Sequence, residues 1–218
     1  MKKTVFYILL LLIWLLPFIY LANVYHQFPE KVAIHFNING DPDAYGSKIS
    51  VLINSIIIGV MALFVFLLIR FLPLIDPKKK IKYSEAVFNK IAVLMLILMT
   101  VLSVAIIHSS LLGSMKMSSN LIFFTLGLAW AYIGNLMPSM KPNYFIGIRT
   151  PWALENEDNW RVTHRLGGKI WFTGGLLLAI LCLVLPAAKT IIVFISVTAI
   201  IALVPVIYSF IYFKKHKS

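Results

Sequence analysis

The stretch VLINSIIIGVMALFVFLLI, residues 51–69, runs for 19 residues without one acidic or basic side chain. At 1.5 Å per residue a helix of that length reaches about 28 Å, close to the roughly 30 Å of hydrocarbon in a bilayer. Five more runs of the same kind lie at 5–22, 91–107, 121–137, 170–188 and 191–213. Only Lys189 and Thr190 interrupt the last two, yet one helix over 170–213 would be about 66 Å long, so a turn at Pro186–Lys189 is the better reading. The expected fold is therefore an all-α integral membrane protein of six transmembrane helices.

Composition agrees. Of 218 residues, 60% are apolar and 13% charged, with a mean hydropathy of +0.89. A soluble domain needs about 25% charged residues to cover its surface, so a soluble enzyme or a disordered chain is excluded. Cys182 is the single cysteine, which rules out an intrachain disulfide framework. Met1-Lys2-Lys3 resembles a signal-peptide start, but the apolar run behind it is too long and lacks a small-x-small exit. The first span is expected to stay as an anchor.

The chain carries 20 Lys+Arg against 8 Asp+Glu, a net charge of +12. Sixteen of the twenty basic residues fall on one side of the six spans: at both ends of the chain, in the second connection and in the fourth. Lys31, Lys48, Lys116 and Lys189 fall on the other. This bias places both termini in the cytoplasm of a bacterial cell membrane, and an even span count agrees. Insertion and attraction to anionic lipid account for most of the charge, with no call for direct nucleic-acid binding. The organisation reads as a membrane hairpin with an outer loop (1–72, loop 26–48), a basic connector with the start of helix 3 (73–90), and a C-terminal membrane region (91–218).

Two loops hold more information than linkers need. In the outer one, Val32, Ile34, Phe36 and Ile38 alternate with Ala33, His35, Asn37 and Asn39 before the turn pair Asn39-Gly40. That is a short strand entering a turn, with Asp41-Pro42-Asp43 and Gly46-Ser47 as further turn formers. His35, Asp41 and Asp43 are of metal-ligating types, but strand alternation and turn chemistry explain them better, and neither a metal nor another cofactor is expected. The inner loop, 138–168, is richer. Pro142 and Pro151 fix turns, Gly147 permits close approach or positive φ, and Trp152 and Trp160 suit the headgroup layer. Residues 155–164 could open an amphipathic surface helix leading into the fifth span. Arg149 and Arg165 can each grip a carboxylate or phosphate two-pronged, with Glu155, Glu157, Asp158, a lipid phosphate or a partner as candidate anions. On these residues alone, lipid-binding arginines and a dedicated binding motif remain equally open.

Gly134-Asn135, Asn143, Gly147-Ile-Arg-Thr-Pro-Trp152, Leu154, Trp160 and Thr163-His-Arg165 resemble the signature of the SdpI family. Pro29, Ile34-His-Phe36, Gly40, Pro42-Asp43 and Ser47-Lys48 resemble the uncharacterised N-terminal domain that often precedes it. Ala33 and Ala153 stand where a proline and a threonine are frequent, which leaves open whether the same ligand is recognised. The resemblance implies immunity to a secreted membrane-active peptide toxin. In the best understood member it also implies a transducer that sequesters a cytoplasmic autorepressor at the membrane. It assigns the working motif to Asn135, Asn143, Gly147, Arg149, Thr150, Pro151, Trp152, Trp160, His164 and Arg165, with His35, Gly40 and Asp43 as the outer motif.

The competing classes are an enzyme, a small transporter and a general envelope-stress protein. No His-Glu-x-x-His pair, Gly-x-Ser-x-Gly elbow or Walker loop occurs. His108 sits at an outer helix end, and the spans hold only the amides Asn54 and Asn135, with no ionisable group at mid-membrane where coupled transport normally needs one.

Overall fold

A computed structural model describes residues 3–75 and 85–216. In chain order the elements are α1 (Lys3–Val24), β1 (Lys31–Phe36), β2 (Pro42–Ser47), α2 (Lys48–Ile75), α3 (Glu85–Leu112), α4 (Lys116–Leu136), α5 (Pro151–Glu155), α6 (Glu157–Val184) and α7 (Ala187–Lys215). All but α5 are helices long and apolar enough to cross a membrane, apart from the two strands, which gives six spans. The basic connector with Lys78, Lys79, Lys80 and Lys82 lies outside the described residues.

These helices are apolar nearly all round, and α1 and α7 each bury only 17% of their most apolar window inside the protein. Side chains such as Leu12, Ile57, Ile180 and Leu183 stand exposed. That pattern belongs to helices whose outer faces meet lipid. Association then relies on close packing and on a few hydrogen bonds rather than on hydrophobic burial. The largest interface, between α4 and α6, shows this directly. A Cβ on Gly134 would lie 2.4 Å from the Phe172 amide nitrogen, and one on Gly175 would lie 2.4 Å from that of Ala131. Glycine at these two positions lets the backbones touch. In the other half, α1 and α2 pack on α3, and the Trp14 indole donates to the Gly59 carbonyl at 2.9 Å.

α6 and α7 are separate helices, broken at Leu185-Pro186. A helix does open near the expected 155–164 stretch and leads through Gly167-Gly168 into the fifth span, but its apolar face is buried inside the protein. α6 begins at Glu157 and runs on unbroken, with Asn159, Trp160, Thr163, His164, Gly167 and Gly168 all buried on one face. Their spacing of three and four aims them at the preceding loop and at α7 instead of at headgroups.

The outer loop forms more structure than one strand. After the Asn39-Gly40 turn, with Gly40 at φ +77°, the chain returns as β2 and pairs antiparallel with β1, Lys31 opposite Ser47. Pro42 stands first in β2, where its missing N–H is harmless. Register irregularities after Ala33 and His35 break the expected alternation: Val32 and Ala33 are both buried, Ile34 and His35 both exposed. Val32 packs with Leu21, Phe28, Val51 and Ile107, closing that end of the bundle. The tip rests on the start of α4, where the Met115 amide donates to the Gly40 carbonyl at 2.9 Å and Lys116 pairs with Asp41 at 2.8 Å.

Candidate functional site

The loop from α4 to α6 is held by three local devices, each traceable to one residue type. Asn143, 2% exposed, folds its amide onto the chain. Its Oδ1 accepts from the Phe145 and Ile146 amides at 2.9 and 2.8 Å, and its Nδ2 donates to the Lys141 carbonyl at 2.8 Å. Such an Asx turn replaces backbone partners the loop lacks. Gly147 has φ +101°, and a Cβ there would sit 2.4 Å from His164 Nε2. Both facts demand glycine.

The third device is the His164 ring. The Ile148 amide donates to its Nε2 at 3.0 Å, and Nδ1 donates to the Trp160 carbonyl at 2.9 Å. Because a backbone N–H occupies Nε2, that nitrogen carries no proton, so the imidazole is neutral with its hydrogen on Nδ1. The Trp160 ring stacks on His164 at 4.0 Å between centroids, and its indole donates to the Met140 carbonyl at 2.8 Å. Trp160 is thus a core pin, 2% exposed, and not a headgroup anchor.

A second knot ties the loop to α7. Thr150 caps α5, accepting from the Ala153 amide at 3.3 Å, with Pro151 at the first helical position. Its hydroxyl also lies 3.1 Å from Ser209 Oγ, to which the Trp152 indole donates at 2.8 Å. Ser209 Oγ in turn donates to Asn159 Oδ1 at 2.8 Å; the same oxygen accepts from Thr163 at 2.9 Å, and Asn159 Nδ2 donates to the Ser209 carbonyl at 3.0 Å. Trp152 packs on Phe210 and Phe213 of α7, so its anchor is that helix. Asn159 and Ser209 were not among the expected site residues. The available signals were a small hydroxyl near the loop-side end of the apolar α7 and an Asn four residues before Thr163 on one helix face.

With the frame buried, the cations stand outside it. Arg149 is exposed and donates through Nη1 to the Tyr144 carbonyl. None of the expected loop carboxylates pairs with it; Asp158 is taken by Arg161 at 2.7 Å. Arg165 is also exposed, and among the described residues neither Arg149 nor Arg165 forms an ion pair. Each follows directly on one partner of the buried Ile148–His164 bond. Elsewhere on the loop a hollow of about 240 Å³ is lined by Lys141, Glu157, Asp158, Trp160, Arg161 and His164, with neither Arg149 nor Arg165 among its lining residues. An arginine with one prong fixed and the rest free is preorganised for a carboxylate or phosphate.

Asn135 does not join this constellation. It is exposed on α4, and its amide has no hydrogen-bond partner among the described residues. His35, Gly40 and Asp43 lie beyond the opposite end of α4, about 30 Å away along the helix. There His35 Nδ1 meets Asp43 Oδ1 at 2.5 Å, and with Asp41 on Lys116 the two aspartates serve different partners. Among the described residues no group of three His, Cys, Asp or Glu side chains could hold a metal ion.

Six apolar spans, a hairpin sealing one end and a hydrogen-bonded loop with exposed arginines at the other define a multi-pass membrane protein. The model of the SdpI/YfhL protein family matches residues 139–209, from the start of that loop to the serine that ties it to α7. A domain of unknown function, DUF1648, matches residues 12–59, which include the hairpin. Immunity protein SdpI of Bacillus subtilis (strain 168) is 30% identical over 219 residues, covering 99% of this chain and 98% of the relative. The chain belongs to the SdpI family. No solved structure matches it.

Proposed function

We propose that this protein is an immunity protein of a bacterial cell membrane, protecting its producer from a secreted membrane-active peptide toxin. The observation that supports this most is that the likeness to an immunity protein runs nearly end to end, so that hairpin and loop both fall within it. In this reading both termini are cytoplasmic, the hairpin faces the arriving peptide, and the loop faces the cytoplasm. Arg149 and Arg165 then offer a docking point for an acidic partner, such as a cytoplasmic autorepressor held at the membrane, or for anionic lipid. The protein binds and does not catalyse.

Expression in a sensitive bacterium is expected to raise tolerance to such a toxin while the peptide stays intact. Cleaved fragments in a mixture of purified protein and peptide would overturn protection by binding. Orientation has its own test in a Cys182→Ala background. An impermeant thiol reagent applied to intact cells should modify Asp41→Cys and miss Asn156→Cys. The reverse pattern would invert the topology.

A further inference from the structure

Two hollows of about 390 and 190 Å³ adjoin on the lipid-facing side of α3 and α4, sharing Leu98 and Thr125. Together they form a groove between the helices whose α3 side runs from Lys90 to Leu102. Twelve residues of helix are about 18 Å long, and one leaflet of hydrocarbon is about 15 Å deep. The groove therefore has the length of one acyl chain descending from the membrane surface to the midplane.

Its two ends differ. The deep end is wholly apolar, while the shallow end carries Lys90 and Tyr132. Lys90 is exposed and has no ion pair or hydrogen bond among the described residues. Asn135, unbonded as well, follows Tyr132 by three residues on the same face of α4, one turn nearer the surface. The shallow end belongs to the loop side of the bundle, because Val87 and Ile91 of α3 pack into the cluster built on Met140 and Trp160. A lysine at this depth reaches its ammonium toward the headgroup layer along an apolar stem. Positive charge and an amide donor above an apolar channel complement a phosphate above a hydrocarbon chain.

We propose that the α3–α4 groove is a binding site for one anionic phospholipid, its acyl chain along Leu98 and its phosphate at Lys90 and Asn135. The site is separate from the arginine loop and does not rest on the immunity reading. It gives Asn135, which the loop leaves idle, a ligand of its own. It also places a lipid headgroup beside the helix ends that carry the recognition loop.

The full chain, purified in mild detergent with phosphatidylglycerol or phosphatidylcholine added, is to be examined by native mass spectrometry for lipid retained per chain. Phosphatidylglycerol should be retained about fivefold better than phosphatidylcholine, the scale of one lysine near a membrane surface. Lys90→Gln, on an exposed position that leaves the fold intact, should bring the two lipids to parity. Leu98→Trp, which fills the junction of the hollows without changing charge, should lower retention of both. Equal retention of the two lipids by the unaltered chain would overturn the site, as would a phosphatidylglycerol preference that survives Lys90→Gln. If glycerophosphate, which has no chains, displaces the lipid, the headgroup alone is recognised and the groove assignment is wrong. A disulfide-linked dimer formed in membranes by Leu98→Cys would mean that a second copy covers the groove instead.

Discussion

Gly147→Val is expected to abolish protection while the protein still inserts with normal helix content. The glycine sits at φ +101°, and a side chain there would begin 2.4 Å from His164 Nε2. Strain at such a backbone position costs about 1–3 kcal/mol. The valine also displaces His164 from the Ile148 amide, leaving a buried donor and acceptor unmatched at about 1–3 kcal/mol more. A cost of about 2–6 kcal/mol exceeds what a loop of this size can absorb and stay ordered. Limited trypsin digestion in detergent reads the change directly: cleavage after Arg149 should become fast in the variant and stay slow in the unaltered chain. Unchanged digestion would mean that the loop tolerates a β-carbon, against the geometry.

The second large effect is expected at Asn159. Its side chain accepts two hydroxyls and donates to one carbonyl, joining α6 to α7 at the serine that also holds the loop's Thr150 and Trp152. Asn159→Leu keeps the branched shape but removes all three bonds, leaving the buried Thr163 hydroxyl without its partner and Ser209 held only by Thr150 and Trp152. Hydrogen bonds between membrane helices average about 0.6 kcal/mol, but an unsatisfied buried group costs about 1–3, so a loss of about 2–4 kcal/mol is expected. Ser209→Ala should cost less, because Asn159 still bonds the backbone carbonyl of residue 209. Thermal unfolding midpoints of the two variants in one detergent should fall in that order. Equal midpoints would show that the knot does not hold the loop to α7.

Much of this architecture was legible in the chain because span recognition needs only length and apolarity, as in residues 51–69. Gly147 and Pro151 were readable for a similar reason, since each residue type has a backbone property that stands without context. What failed was whatever depended on distant partners. Trp160 and His164 begin a helix as expected, but nothing local shows that the preceding loop covers them, through Ile148 on His164 and Met140 on Trp160. The Asn159–Ser209 bond joins residues 50 apart, and nothing local marks it. β2 escaped because Pro42, Asp43 and Gly46 are poor strand formers, and pairing with β1 overrides their preference. Asn135 reads as part of the loop motif, yet it stands exposed on α4, three residues after Tyr132 on the same helix face.

If, as proposed, the buried frame presents Arg149 as a two-pronged anion receptor, the most direct measurement is toxin tolerance of cells carrying Arg149→Lys at matched membrane levels. Lysine keeps the charge but lacks the planar fork that lets Arg149 hold the Tyr144 carbonyl and still offer further donors. Protection is expected to fall at least tenfold, about 1.4 kcal/mol of lost recognition. Wild-type tolerance from Arg149→Lys at normal abundance would contradict the account and leave the loop's arginines as simple counter-charges to lipid phosphate.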